Sequence, residues 1–178
     1  IEIPEVLFGI IGSGMALLGI VIPRFCMKMV AQHTPRFNLL VVSTTTFVGL
    51  YGMTFFKPFY GLMPIVILYS GGYMIGFFVS HYLNHITESH QRATVLSFKG
   101  LFMNLFYGMI GLLYAFLIAM LRPGLSEKHP HLIPELLENL VFMQSFQWFP
   151  WTFVIGLFIF LAFAKYKLGT SGEGGRIH

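Results

Sequence analysis

The chain has 178 residues, of which 56% are hydrophobic and only 10% are charged, and its mean hydropathy is +0.74. A soluble globular chain carries about 25% charged residues, so this sequence cannot cover a water-facing surface, and a lipid bilayer is the expected solvent. The formal net charge of +4 is small and is explained by membrane topology, so no nucleic-acid partner is expected, and the single Cys26 excludes an internal disulfide.

Five segments are long and apolar enough to cross a bilayer, which takes about 20 residues of helix. Their cores contain no Asp, Glu, Lys or Arg. Lipid offers no partner for unpaired backbone groups, and the segments lack the alternation of a β-barrel, so each is expected to be helical. The sequence therefore predicts an all-α, polytopic membrane helix bundle with five transmembrane helices, at residues 6–22, 37–56, 62–83, 101–121 and 150–166.

The longest connection, residues 122–148, is predicted to be an extracytoplasmic loop. Prolines and a glycine are expected to break its first half, and the second half is typical of a short amphipathic helix. The breaking residues are Pro123, Gly124, Pro130 and Pro134. The Gly-rich segment 169–178 is predicted to be a flexible cytoplasmic tail.

Basic residues are unevenly divided between the two sides of the predicted bundle. Eight lie on the side that follows the first, third and fifth spans, including Arg24, Arg92 and Lys165, and three lie on the other side. The positive-inside rule then places the C-terminus in the cytoplasm and the start of the chain outside, and the membrane is expected to be the plasma (inner) membrane. An odd number of spans beginning outside indicates a piece of a larger membrane protein, or a subunit whose partner supplies further helices.

A polar stretch separates the third and fourth spans. Thr87 or Ser89 is predicted to cap the fourth helix, with Glu88 at the positive end of its dipole and Arg92 in its first turn. This position lets Arg92 reach the carbonyl end of a neighbouring helix or a lipid phosphate.

The three histidines of this stretch, His81, His85 and His90, raise the question of a metal site. His81 and His85 are spaced i, i+4, but no Cys or Asp accompanies them. Interfacial histidines are therefore favoured over a metal site, and over a proton relay that would use their titration near neutral pH. We expect no metal and no cofactor.

The residues "ESHQRATVLSFKGLFMNLFYG" resemble the turn into the eleventh helix of major facilitator superfamily transporters. There a polar "R-A-T-V-L-S" run precedes an apolar helix with small and polar inward positions. The segment "LFGIIGSGMALLGIVIPRFCMKMVAQHTPRF" is similar to the eighth helix of that family and the basic loop after it, although it has no Asp, and no Gly after Ile22. On this mapping residues 1–167 are helices eight to twelve, and helix seven and the N-terminal half are absent.

The resemblance implies a secondary-active transporter that moves a small solute by alternating access, with the first, third and fourth spans lining the path. An Asn amide facing hydrocarbon is costly, so Asn104 is predicted to face an interior shared with the tyrosines. The pathway candidates are Ser13, Tyr69, Tyr73, Asn104 and Tyr107, and the cytoplasmic gating or anchor candidates are Glu88, His90 and Arg92. The spacing of Gly72 and Gly76, and of Gly12 and Gly14 around Ser13, favours close helix packing.

Two functional interpretations remain open at this point. No intramembrane charge, Gly-x-Ser-x-Gly elbow or phosphate-binding loop occurs in the sequence, so no enzyme activity and no catalytic residue is expected. The expected partners are the lipid bilayer, the missing transporter half or partner membrane subunits, and a small-molecule solute. The alternative to transport is a membrane-embedded structural or assembly subunit of a larger complex.

Overall fold

The computed structural model describes residues 5–55 and 61–173, with side chains for residues 9–55 and 61–167. This part of the chain is helical and contains no β-strand, so the prediction of an all-α chain is confirmed. The helices are α1 (Glu5–Gln32), α2 (Pro35–Met53), α3 (Leu62–Ile86), α4 (Arg92–Lys128), α5 (Pro134–Ser145) and α6 (Phe149–Glu173), with a 3₁₀ turn at Phe146–Trp148.

Within the described residues, four helical segments are long and apolar enough to cross a membrane. They are Gly9–Gln32, Leu62–Ile86, Arg92–Lys128 and Pro134–Lys167. The chain is therefore that of an integral membrane protein. The second predicted span forms α2, but α2 is not among the four, since Arg36, Asn38 and a run of hydroxyl side chains lower its hydropathy. A transmembrane α2 stays a prediction.

Two helices are longer than the sequence predicts because they continue through a proline. α1 contains Pro23 and α4 contains Pro123. The prediction that Pro123 and Gly124 break the chain after residue 121 is therefore wrong for the backbone. Proline removes one helical hydrogen bond, but membrane helices tolerate it when neighbouring groups satisfy the freed carbonyl.

The segment after α4 forms a second helical unit. A turn that contains Pro130 leads into α5, and Pro134 occupies its first turn, where the missing N–H is harmless. A forked ion pair joins α4 to α5, with Arg122 Nε 2.9 Å from Glu138 Oε1 and Arg122 Nη2 2.9 Å from Glu138 Oε2. Helical backbone extends through residues 169–173, which were predicted as part of a flexible tail, and residues 174–178 lie outside the described part.

The core lies between α1, α2 and α3. Cys26 and Met29 of α1, Val42 of α2, and Met74 and Phe78 of α3 form one buried cluster. The cluster uses the C-terminal halves of α1 and α3 and the N-terminal half of α2, so α2 runs antiparallel to the other two. Large apolar side chains on all six helices are exposed in this chain. Such a surface must be covered by lipid or by partner helices.

Glycines allow α2 and α3 to approach closely. A Cβ on Gly49 would lie 2.7 Å from Leu68 Cγ and 3.1 Å from the Leu68 backbone N, and a Cβ on Gly71 would lie 3.0 Å from Thr46 Oγ1. A Cβ on Gly49 therefore requires a shift of the Leu68 side chain and of its backbone N, whereas a Cβ on Gly71 requires an adjustment of the Thr46 side chain. The α2–α3 hairpin is therefore the most tightly fitted contact in the described part of the chain.

The glycines whose spacing predicts close packing are different ones. A Cβ on Gly72, Gly76, Gly12 or Gly14 would meet nothing within 4 Å. In α3 the close approach uses Gly71, because Gly71 faces α2 whereas Gly72 is turned by about 100°. The predicted packing at Gly72 and Gly76 does not occur among the described residues.

Candidate functional site

The polar turn between α3 and α4 differs in detail from the prediction. Gln91 is the N-cap residue of α4, and no side chain caps that end. Thr87 instead ends α3, where its backbone N–H donates to the carbonyl of Leu83. The capping role predicted for Thr87 or Ser89 is therefore wrong.

The predicted gating residues Glu88, His90 and Arg92 all lie on the exposed surface of this turn. His90 Nδ1 is 3.4 Å from Glu88 Oε2, and these two side chains are 70% and 76% exposed. Arg92 is the first residue of α4 and is exposed, without a hydrogen bond or ion pair to any described residue. Its side chain is available to a lipid phosphate or to another protein surface.

The candidates on α1 and α3 lie in different surroundings. Ser13 of α1 is exposed. Tyr69 of α3 is 51% exposed. Tyr73 is half-buried against α1, where its ring would meet a Cβ on Gly19 at 3.1 Å. Tyr73 therefore packs within the α1–α3 unit, whereas the other two remain on its surface.

The candidates on α4 are both exposed. Tyr107 is 83% exposed, and Asn104 is exposed one turn earlier. None of the 18 residues in the most apolar window of α4 is buried within the chain. The interior that Asn104 was predicted to face is therefore not formed by the described residues. An aqueous path or a second membrane protein would have to supply it.

A groove of about 410 Å³ separates α3 from α4. Val79 and Leu83 line it from α3, and Lys99, Phe106 and Tyr107 are among the residues that line it from α4. It therefore brings one predicted pathway residue, Tyr107, to the same side of α4 as Lys99. Asn104, Tyr69, Tyr73 and Ser13 do not line it.

A hydrogen-bond relay closes one end of this α3–α4 groove. Lys99 Nζ donates to Ser80 Oγ, and Ser80 Oγ donates to the carbonyl of Gly76 at 2.7 Å. By sequence alone Lys99 was predicted only as a topological charge, and no role was predicted for Ser80. A hint was available, since Lys99, Phe102, Phe106 and Tyr107 recur at helical spacing and mark one face of α4.

A second polar contact that sequence reasoning missed joins α2 to α3. Asn38 is 1% exposed, and its Nδ2 donates to Tyr82 Oη at 2.9 Å. The Oδ1 atom of Asn38 is buried without a partner among the described residues. This pair fixes the register of the two helices at the end of the bundle where the chain also carries Arg36.

His81 of α3 stacks on Phe77, and the ring of His85 is tilted by 42° from that of His81. The rings of Phe77 and His81 are parallel, with centroids 5.9 Å apart, and the centroids of His81 and His85 are 6.5 Å apart. In the described part of the chain no three His, Cys, Asp or Glu side chains are grouped so that they could hold a metal ion.

Basic residues near the ends of several helices lie at the same end of the bundle. Arg36 at the start of α2 lines a groove together with Lys165 near the end of α6, and Lys99 near the start of α4 contacts the C-terminal half of α3. Arg24 lies in the part of α1 that packs in the core beside Phe78. The helices thus alternate in direction and gather positive charge on one side.

Comparison with models of protein families matched none of them. Comparisons with curated proteins and with solved structures also found no match.

Proposed function

We propose that the chain is the C-terminal part of a secondary-active membrane transporter that moves a small solute by alternating access. The resemblance of residues 88–108 to the eleventh helix of the major facilitator superfamily supports this function. In this proposal the basic end of the bundle faces the cytoplasm across the plasma (inner) membrane, with the C-terminus on the same side.

The main support for the proposal is the uncovered face of α4 that contains Asn104. Gly100, Asn104, Gly108 and Gly111 follow one another at helical spacing, and a Cβ on any of these glycines would meet nothing within 4 Å. An Asn amide exposed to hydrocarbon is unfavourable, so this face requires water or a protein partner. A solute pathway between two helix bundles supplies both.

The limited contact between α3 and α4 would allow α4 to move relative to α3. The two helices are separated by the α3–α4 groove and share the hydrogen bond from Lys99 to Ser80. In the proposed cycle this bond holds α4 against α3 at the cytoplasmic end. Glu88, His90 and Arg92 lie in the adjoining turn, where a second bundle would close the path.

The alternative, an assembly subunit without transport, is favoured by the same small side chains. A face that contains three glycines permits close contact with a partner helix, and Asn104 would then donate across a dry helix interface. The two functions differ in whether water reaches this face.

Reactivity of single cysteines with an aqueous thiol reagent separates the two functions. In the full-length protein reconstituted into liposomes, we expect Asn104→Cys and Gly108→Cys to react. Phe116→Cys is the matched control, because Phe116 is 64% exposed in this chain, lies about 120° around α4 from Asn104 and is outside the lining of the α3–α4 groove. It faces lipid in the proposed transporter and should remain unreactive.

Failure of both face positions to react, in protein that contains all its helices, would exclude the pathway and favour the assembly subunit. Reaction of Phe116→Cys at the same rate as Asn104→Cys would also contradict the proposal, since water would then reach the lipid-facing side of α4. Uptake of labelled candidate solutes into the same liposomes identifies the solute class.

A further inference from the structure

A second groove lies between α2 and α6, away from the proposed pathway. It has a volume of about 1010 Å³, more than twice that of the α3–α4 groove. Leu40 and Phe47 of α2 and Phe153 and Leu157 of α6 are among its apolar walls. We refer to it as the α2–α6 groove.

Two cations stand at one end of the α2–α6 groove. Arg36 lies in the first turn of α2, and Lys165 lies on the antiparallel α6. Both side chains are exposed, and neither forms an ion pair with any described residue. The groove therefore offers two uncompensated positive charges above an apolar slot.

The length of the α2–α6 groove matches one leaflet of a bilayer. The 11 steps along the helix from Arg36 to Phe47 and the 12 steps from Lys165 to Phe153 correspond to about 17 Å and about 18 Å of helix. Half of the hydrocarbon thickness of a bilayer is about 15 Å. The cations thus lie near headgroup level when the apolar walls occupy one leaflet.

We propose that the α2–α6 groove binds one anionic phospholipid, with its phosphate at Arg36 and Lys165 and an acyl chain along Leu40 and Leu157. Basic pockets between transmembrane helices favour anionic headgroups on the cytoplasmic side. A partner helix would fill the apolar slot but would leave two positive charges unmatched unless it carried acidic residues at that depth. This inference depends on the membrane placement of α2 and α6 and not on transport.

Native mass spectrometry tests the proposal on the full-length protein released from bilayers of equal phosphatidylglycerol and phosphatidylcholine. We expect one retained phosphatidylglycerol per protein. The double substitution Arg36→Gln and Lys165→Gln should lower its retention by about tenfold or more, since it removes two basic residues that attract the anionic headgroup near the membrane surface. Arg24→Gln with Lys28→Gln is the control, because it removes the same charge from exposed residues of α1 and should leave retention unchanged.

A neutral substitution tests the apolar part of the α2–α6 groove. Leu157→Trp narrows the slot and should abolish retention, whereas Phe158→Trp, at a residue that is 71% exposed and outside the groove lining, should not. Equal loss in the groove and control charge pairs, or unchanged retention in Leu157→Trp, would overturn the proposal. A protein dimer that Leu157→Trp dissociates, without any retained lipid, would identify a second copy of the chain as the occupant and would also overturn it.

Discussion

Replacing Gly49 with alanine should loosen the α2–α3 hairpin, although alanine is the better helix former. Alanine favours a helix over glycine by about 1 kcal/mol. The new methyl group would lie 2.7 Å and 2.9 Å from side-chain carbons of Leu68 and 3.1 Å from its backbone N. A rotamer change relieves the side-chain contacts but not the backbone contact. Overpacking of this kind costs about 1–3 kcal/mol, so after the helix-propensity gain we expect a net loss of up to about 2 kcal/mol.

Gly72→Ala on the partner helix is the matched control. Gly72 is exposed in this chain, and a Cβ there would meet nothing within 4 Å. The gain in helix propensity is therefore not offset by a close contact. We expect this variant to be as stable as the wild type or more stable by up to about 1 kcal/mol.

The stability of both variants can be measured by unfolding the purified protein in mixed micelles. The mole fraction of dodecyl sulfate is increased, and loss of helix is followed by far-ultraviolet circular dichroism. Gly49→Ala should unfold at a lower mole fraction than wild type, and Gly72→Ala should not. On a Leu68→Ala background, which removes the two side-chain contacts, the loss caused by Gly49→Ala should shrink. Equal stability of the two glycine variants would refute the close-contact argument.

Three further outcomes follow from the polar and buried residues. Tyr82→Phe should destabilise the protein by about 1 kcal/mol, because it leaves the Asn38 amide without its partner; wild-type stability in the same micelle titration would contradict this. Arg122→Lys should lower the free energy of unfolding by less than about 1 kcal/mol, because both side chains of the forked pair with Glu138 are 51% exposed. A loss of several kcal/mol would show that the pair is desolvated in the membrane. Cys26 is fully buried, so a maleimide should label it only after denaturation, and rapid labelling of the folded protein would contradict the buried core.

The helices could be predicted because the apolar runs that form them are local features of the sequence. Their ends and contacts could not be predicted, because these depend on neighbouring helices. A long apolar run in lipid has to be helical, so α3 occupies nearly the residues expected for it. Pro123 is a helix breaker in water, and composition does not reveal that the helix continues beyond it. The contact at Gly71 likewise depends on which neighbour α3 meets, since Gly71, Gly72 and Gly76 are equally suited to close packing by residue type.

The candidate site was predictable only in its polar residues. Asn104 and Tyr107 stand out because an apolar helix rarely carries them. Lys99 and Ser80 are separated by 19 positions in the chain, and only the crossing of α3 and α4 brings them together. Asn38 is close to the start of α2, where a polar residue is unremarkable, and its burial follows from the approach of Tyr82.

The antiparallel pairing of α2 with α3 has a consequence for biogenesis. α2 is less apolar than the four helices that can cross a membrane by composition, so it should partition poorly into lipid when it leaves the ribosome alone. α3 follows after a short connection and covers the Asn38 amide with Tyr82. We therefore expect the translocon to release α2 and α3 together as a hairpin. Glycosylation mapping of nascent chains that end before or after α3 would reveal this order.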